Sequence, residues 1–166
     1  MQKIIGSIIV ISVCTALGFE KSRELQLHLN SLEELKKLFT LLKSEVQHTK
    51  APFSEVFLIL SKKMDGIYKD WLLYVSGQLE KREKLTLYET WKTSVYEYLK
   101  NSKLTKEELD ELCELGRTLG YIETLELYLN QLDFSIQNTR EELKTKKKLY
   151  QSMGIMCGIF LVIVLF

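Results

Sequence analysis

The stretch ELQLHLNSLEELKKLFTLLKSEV, residues 24 to 46, repeats apolar residues at steps of three and four. Because an α-helix turns once in about 3.6 residues, this spacing places the apolar side chains on one stripe of a helix. The sequence therefore predicts a long amphipathic helix over residues 20–49, which other helices must cover. The stripe consists of Leu25, Leu29, Leu32, Leu35, Phe39, Leu42 and Val46.

The rest of the middle region also favours helix, since the 166 residues include one proline and eight glycines. Thr86 with Glu89, and Thr105 with Glu108, match the capping box, in which two side chains satisfy free backbone N–H groups at a helix start. We predict an all-α fold, a six-helix bundle whose first and last helices are long and antiparallel. The other expected boundaries are Pro52 in the first turn of the second helix, a turn at Asp65-Gly66, and Gly120 ending the fifth helix.

Both ends of the chain differ from this charged middle. No acidic or basic residue lies within 4–19 or 153–166, and every Asp and Glu lies within 20–142. These apolar segments approach the roughly 20 residues that a membrane-spanning helix needs. We predict transmembrane helices at residues 1–19 and 151–166, flanking a bundle domain at 20–150. A cleaved signal peptide is the alternative interpretation of the first segment.

Basic residues beside the two apolar segments predict the orientation. Lys21 and Arg23 follow the first segment, and Arg140 with a lysine cluster at 144–148 precedes the second. Because basic residues flanking membrane spans stay on the cytoplasmic side, we predict a multi-pass protein of the cell membrane with a cytoplasmic central domain. The lysine cluster is also suited to contact anionic lipid headgroups.

Small residues recur at a spacing of four in both apolar segments. Gly154 and Gly158 form a GxxxG pattern, and Ser12 and Ala16 form a similar pair. Such patterns allow two membrane helices to approach closely. The partner is either the other span or a second copy of the chain, so the sequence leaves open whether the protein forms a homo-oligomer. A membrane-anchored dimeric sensor or scaffold unrelated to secretion is the alternative function.

The sequence offers no arrangement typical of catalysis. His28 and His48 fall on nearly opposite faces of one helix, the three cysteines form no CxxC pair, and no phosphate-binding loop is present. The net charge of +1 gives no reason to expect a nucleic-acid partner. We therefore predict a protein that is not an enzyme and needs no cofactor or metal, and consider a small membrane enzyme the weakest alternative.

One motif in the middle region stands apart, ELGRTLGY at residues 114–121. Its two glycines each cost up to about 1 kcal/mol relative to alanine inside a helix. One interpretation is close helix packing at Gly116 with a helix cap at Gly120, and the other is a partner-docking face. The candidate residues for either role are Leu115, Gly116, Leu119, Gly120 and Glu123.

Several of these features together resemble a known family. GFE at 18–20 followed by basic residues, TKAPFSE at 49–55, LGRTLG at 115–120 and the short apolar tail occur in the order and spacing of stage III sporulation protein AB. The resemblance covers residues 4–166. Glu123 stands where members of the family often have aspartate, which puts a contact role for that position in doubt.

The resemblance implies a specific function. Such proteins belong to a channel-like complex between mother cell and forespore, and their middle domain is similar to the cytoplasmic domains of type II secretion F and type IV pilus platform proteins. We therefore expect a membrane platform or adaptor whose cytoplasmic domain, on the mother-cell side, docks the ATPase of the same operon, stage III sporulation protein AA. Other membrane components of the channel are further expected partners. This step from fold to function is an analogy.

Overall fold

The computed structural model describes the backbone of residues 2–49, 51–81 and 86–165, and the side chains of these residues except 2–19, 21, 150–155 and 157–165. Within these ranges the chain forms six α-helices and one short 3₁₀ turn, with no β-strand, which confirms the all-α prediction. The helices are α1 (Gln2–His48), α2 (Phe53–Ser61), α3 (Gly66–Glu80), α4 (Leu87–Tyr98), α5 (Lys106–Leu115) and α6 (Ile122–Leu165), with the 3₁₀ turn at Leu99–Asn101.

Both predicted capping boxes are confirmed. At the start of α4 the backbone N–H of Glu89 donates to Thr86 Oγ1 at 3.2 Å, and the N–H of Thr86 donates to the Glu89 carboxylate at 2.8 Å. The same two bonds, at the same lengths, join Thr105 and Glu108 at the start of α5. Because each box satisfies two N–H groups that no helix carbonyl can reach, these starts are set by local sequence alone.

The starts of α2 and α3 depend on backbone conformation. Gly66 has a φ of +56°, in the left-handed region where side chains are strained, which explains a glycine at the turn into α3. Pro52 lies one residue before α2 rather than within its first turn. Its backbone is extended (ψ 149°), and its carbonyl accepts hydrogen bonds from the N–H groups of Glu55 and Val56 at 3.0 and 3.1 Å.

The predicted end of the fifth helix at Gly120 is wrong, because α5 ends at Leu115. From Gly116 onward the hydrogen bonds shift to the tighter three-residue step: Gly116 N–H donates to the Cys113 carbonyl at 3.1 Å, and Thr118 N–H donates to the Leu115 carbonyl at 2.9 Å. These bonds satisfy carbonyls at the helix end that have no partner further along an α-helix. The chain then turns through Gly120 into α6.

Residues 30–135 form one compact unit, which we call the bundle unit. Within it α1 and α6 are antiparallel, as predicted. Lys36 pairs with Asp133, and Lys43 pairs with Glu126 at 2.6 Å, so a step of seven residues forward along α1 matches seven residues back along α6. Such partly exposed pairs contribute little stability, and here they report the register of the two helices.

The core of the bundle unit is organised around Trp91. This side chain of α4 is fully buried and contacts Phe39 of α1, Phe57 of α2 and Trp71 of α3, with ring centroids 6.3, 5.8 and 4.7 Å away. Phe39 in turn meets Tyr128 of α6 edge-on at 4.9 Å. Aromatic pairs at such distances are worth about 0.5–1.5 kcal/mol each beyond the area that they bury. Five helices therefore meet through one aromatic cluster.

The second unit comprises residues 1–29 and 136–166. Among its described side chains, Leu29, Ile136 and Thr139 are buried. Among the residues that the structure describes, no helix includes a segment both long and apolar enough to cross a membrane. The expected spans at 1–19 and 151–166 lie, except for Met156, outside the residues whose side chains are described.

Candidate functional site

An open groove of about 320 Å³ lies on the bundle unit beside α5 and α6. Its floor is formed by Leu115, the last residue of α5, and by Tyr128 of α6, both largely buried. Thr118 from the turn after α5 and Thr124 from the first turn of α6 also line it. The exposed margins are Glu111, Glu114, Leu127 and Gln131.

Tyr128 lines the groove and also packs against the aromatic core. The ring of Tyr128 packs edge-on against Phe39 in the core. Burial raises the pKa of Tyr128 above its ordinary value, and the nearby carboxylates of Glu111 and Glu108 raise it further. Burial and the nearby carboxylates both disfavour the phenolate, so Tyr128 lines the groove as a neutral side chain.

An apolar ridge of two residues, Leu127 and Phe134, lies along α6, and Leu127 also lines the groove. Leu127 is 70% exposed and Phe134, seven residues later on the same face of the helix, is 66% exposed. Large apolar side chains are ordinarily among the most buried residue types. Two of them aligned on one face next to a groove indicate a surface suited to contact with another molecule.

The opposite margin of the groove is acidic. Two carboxylates, Glu111 and Glu114, line the groove on this side. Glu114 accepts a hydrogen bond from the Tyr88 hydroxyl at 3.2 Å and pairs with Arg117 Nε at 3.1 Å. Arg117 also lies over the Tyr88 ring, 4.6 Å from its centroid. The Glu114 carboxylate is thus already engaged within the chain.

The glycine motif contributes to this region in two ways. Leu115 lines the groove, while Gly116 approaches the core so closely that a Cβ atom there would lie 2.3 Å from Trp91 Cδ1. Leu119 is buried. Gly120 and Glu123 are exposed and are not among the residues that line the groove.

The remaining predicted residues lie elsewhere. Ser12, Ala16, Gly154 and Gly158, proposed from sequence as packing residues of the two spans, are outside the described side chains. Sequence reasoning missed Leu127 and Phe134, although a signal existed. Both lie off the buried stripe of α6 at a spacing of seven, which is the pattern of a second apolar face.

The side chains that line the groove are a mixture of apolar, hydroxyl, amide and carboxylate groups. Among them, no group of three or more His, Cys, Asp or Glu side chains is placed to hold a metal ion. Burial raises the pKa of the Cys113 thiol, which disfavours the reactive thiolate. The groove supplies apolar contact area and carboxylates, a combination suited to holding a segment of another protein.

Searches of curated proteins and of solved structures found no significant match. The family model described as "Stage III sporulation protein AB (spore_III_AB)" matches residues 3–166, almost the full length, including the capping boxes, the glycine motif and the groove described above. The chain therefore belongs to the stage III sporulation protein AB family, and this membership implies a role in stage III of sporulation.

Proposed function

We propose that this protein is a membrane platform or adaptor of the sporulation channel complex between mother cell and forespore, and that its helical bundle docks a cytoplasmic ATPase. The observation that carries the proposal is the open groove with its exposed apolar ridge, on a bundle whose core is rigidly packed. Family membership supports the sporulation context. The similarity of the family's middle domain to secretion platform proteins supports the adaptor role by analogy.

The proposed partner is the ATPase of the same operon, stage III sporulation protein AA. Nucleotide-driven movement of that ATPase would act on the bundle unit. The helices α1 and α6, which run for 47 and 44 residues, would carry the movement into the membrane assembly. Other membrane components of the channel would receive it there. On this proposal the protein does no chemistry of its own.

The proposal includes two membrane spans, at residues 1–19 and 151–166. Support comes from the absence of charged residues in 4–19 and 153–166 and from the basic residues that flank them on the bundle side. The spacing of Gly154 and Gly158, and of Ser12 and Ala16, suits close packing of the spans with each other or with a second copy. The bundle then lies in the mother-cell cytoplasm.

Direct association with the ATPase tests the proposed function. We expect the full chain, reconstituted in lipid nanodiscs, to bind the purified ATPase saturably in calorimetric titrations. Nanodiscs without the chain serve as the control, and they should give no binding heat. If calorimetry detects no association and chemical cross-linking in sporulating cells yields no adduct between the two proteins, the adaptor role is excluded.

The orientation of the bundle can be tested separately by cysteine labelling. Native Cys113 is a poor reporter because it is buried, so we choose Asn101→Cys, an exposed position in the 3₁₀ turn after α4. We expect a membrane-impermeant maleimide to label this variant beyond the unaltered chain only after cells are permeabilised. Equal extra labelling in intact cells would place the bundle outside the cytoplasm and contradict the proposal.

A further inference from the structure

We infer that the groove beside α5 and α6 is where the ATPase docks, and that its ligand is an amphipathic helix of the ATPase whose apolar face is flanked by lysine or arginine. This inference rests on the proposed function and adds the contact surface and the chemistry of the segment that fills it. Three properties of the groove support it: the spacing of its apolar ridge, the charge of its margin, and its rigid framework.

The spacing of the ridge fits a helical ligand. Leu127 and Phe134 are seven residues apart on α6, which corresponds to a separation of about 10 Å along the helix axis. A partner helix that lies along α6 presents apolar residues at the same interval of two turns. Leu115 and Tyr128 in the floor give such side chains an apolar surface to cover.

The charge of the margin selects the kind of helix. Glu111 has no ion pair with any other described residue, and its carboxylate is exposed at the margin of the groove. Glu114, on the same margin, is already paired with Arg117 of the same chain, so Glu111 is the carboxylate that a basic side chain of the partner would meet first. Complementary charges favour a basic segment and disfavour an acidic one, mainly through faster association and discrimination between partners.

The residues on both sides of the groove are packed against the core. On one side Gly116, next to Leu115, is held against the buried indole of Trp91. On the other side Tyr128 is packed against Phe39. A preformed groove loses little conformational freedom on binding, which favours affinity for a given contact area.

A matched pair of substitutions tests the apolar ridge. We expect Leu127→Lys to weaken ATPase binding to the full chain in nanodiscs by at least about tenfold, because apolar anchors at the centre of an interface dominate affinity. The control is Leu73→Lys on α3, an exposed leucine that is not among the residues lining the groove, which should leave binding within about twofold. Unchanged helix content by circular dichroism establishes that both variants are folded.

A second pair tests the acidic margin without altering the ridge. The variant Glu111→Lys with Glu114→Lys should bind the ATPase at least about tenfold more weakly, with most of the loss in the association rate. The control, Asp70→Lys with Glu97→Lys on exposed positions of α3 and α4, makes the same change in net charge away from the groove and should bind normally. A similar loss in both would show a general charge effect and overturn the assignment of the margin.

The outcomes separate this inference from the proposed function. If the unaltered chain binds the ATPase and both groove variants bind it equally well, docking occurs elsewhere; the inference is then overturned while the adaptor role stands. If the unaltered chain does not bind the ATPase at all, the adaptor role falls and the docking assignment falls with it. If the groove variants lose binding and the control variants keep it, the result supports both the adaptor role and the assignment of the groove as the docking site.

Discussion

Replacing Trp91 with alanine is expected to lower the free energy of unfolding of the bundle unit by about 4 kcal/mol, as for other fully buried aromatic residues. The side chain is completely buried and contacts rings from three other helices. Its removal leaves a cavity that those helices cannot fill without losing contacts of their own. Because single domains are stable by only about 5–15 kcal/mol, the loss is a large fraction of the total.

The loss of a hydrogen bond contributes to the destabilisation expected for Trp91→Ala. The indole Nε1 of Trp91 donates to the backbone carbonyl of Leu112 at 2.8 Å, near the end of α5. The carbonyls in the last turn of a helix have no partner further along it, and a buried acceptor left without a donor costs about 1–3 kcal/mol. Part of the expected loss therefore comes from α5, whose end is tied to α4 by this bond.

Urea denaturation of the full chain in mild detergent measures the effect. The chain has two tryptophans, so Trp71 remains as the fluorescent reporter, held by its bond to Ser94 Oγ at 2.9 Å. Phe134→Ala is the control, since this exposed aromatic should change the free energy of unfolding by no more than about 0.5 kcal/mol. A similarly small effect of both substitutions would show that Trp91 does not organise the core.

The helices themselves were largely predictable because their signals are local. A capping box lies within four consecutive residues, and Thr105 with Glu108 fixes the start of α5 without help from the rest of the fold. The buried stripe of α6 likewise follows from its period, with Leu125, Tyr128 and Leu132 all buried. Periodicity identifies the buried face of a helix in this way, but it does not identify the neighbour that covers the face.

The groove and the end of α5 depend on such neighbours and were not predictable. Gly116 was singled out as a point of close packing, but its contact, Trp91, lies in another helix and no pattern in the sequence pairs the two. Gly120 is a reasonable helix terminator by propensity. The helix ends at Leu115 instead, and Gly116 next to it lies against the Trp91 indole, a tertiary contact that local propensity does not report.

The second large effect is expected at Gly116, where alanine should lower the free energy of unfolding by about 2–3 kcal/mol, as is typical of overpacked cores. A Cβ atom at this position would lie 2.3 Å from Cδ1 and 2.8 Å from Cγ of Trp91, far inside van der Waals contact. The indole cannot easily move, because its ring is buried among other aromatic rings and its nitrogen is bonded to the Leu112 carbonyl. The backbone at the end of α5 must shift instead.

The other glycine of the same motif provides the control, and the expected effect there has the opposite sign. A Cβ atom added at Gly120 would have no neighbouring side chain or remote backbone atom within 4 Å, and the φ of Gly120 is not in the left-handed region. Alanine there should stabilise the fold by about 0.4–1 kcal/mol, because it reduces the freedom of the unfolded chain. Urea denaturation monitored by tryptophan fluorescence measures both variants, and equal shifts for the two would contradict the close contact at Gly116.

A double substitution tests whether the Trp91 side chain causes the loss of stability in Gly116→Ala. In a chain that already carries Trp91→Ala, the methyl group of Gly116→Ala meets a cavity instead of an indole. We therefore expect the two effects to be strongly non-additive, with the double variant more stable than the sum of the single changes implies by about 2 kcal/mol, within the range for directly contacting residues. Additive losses would mean that the strain at Gly116 arises from its own backbone and that Trp91 plays no part in it.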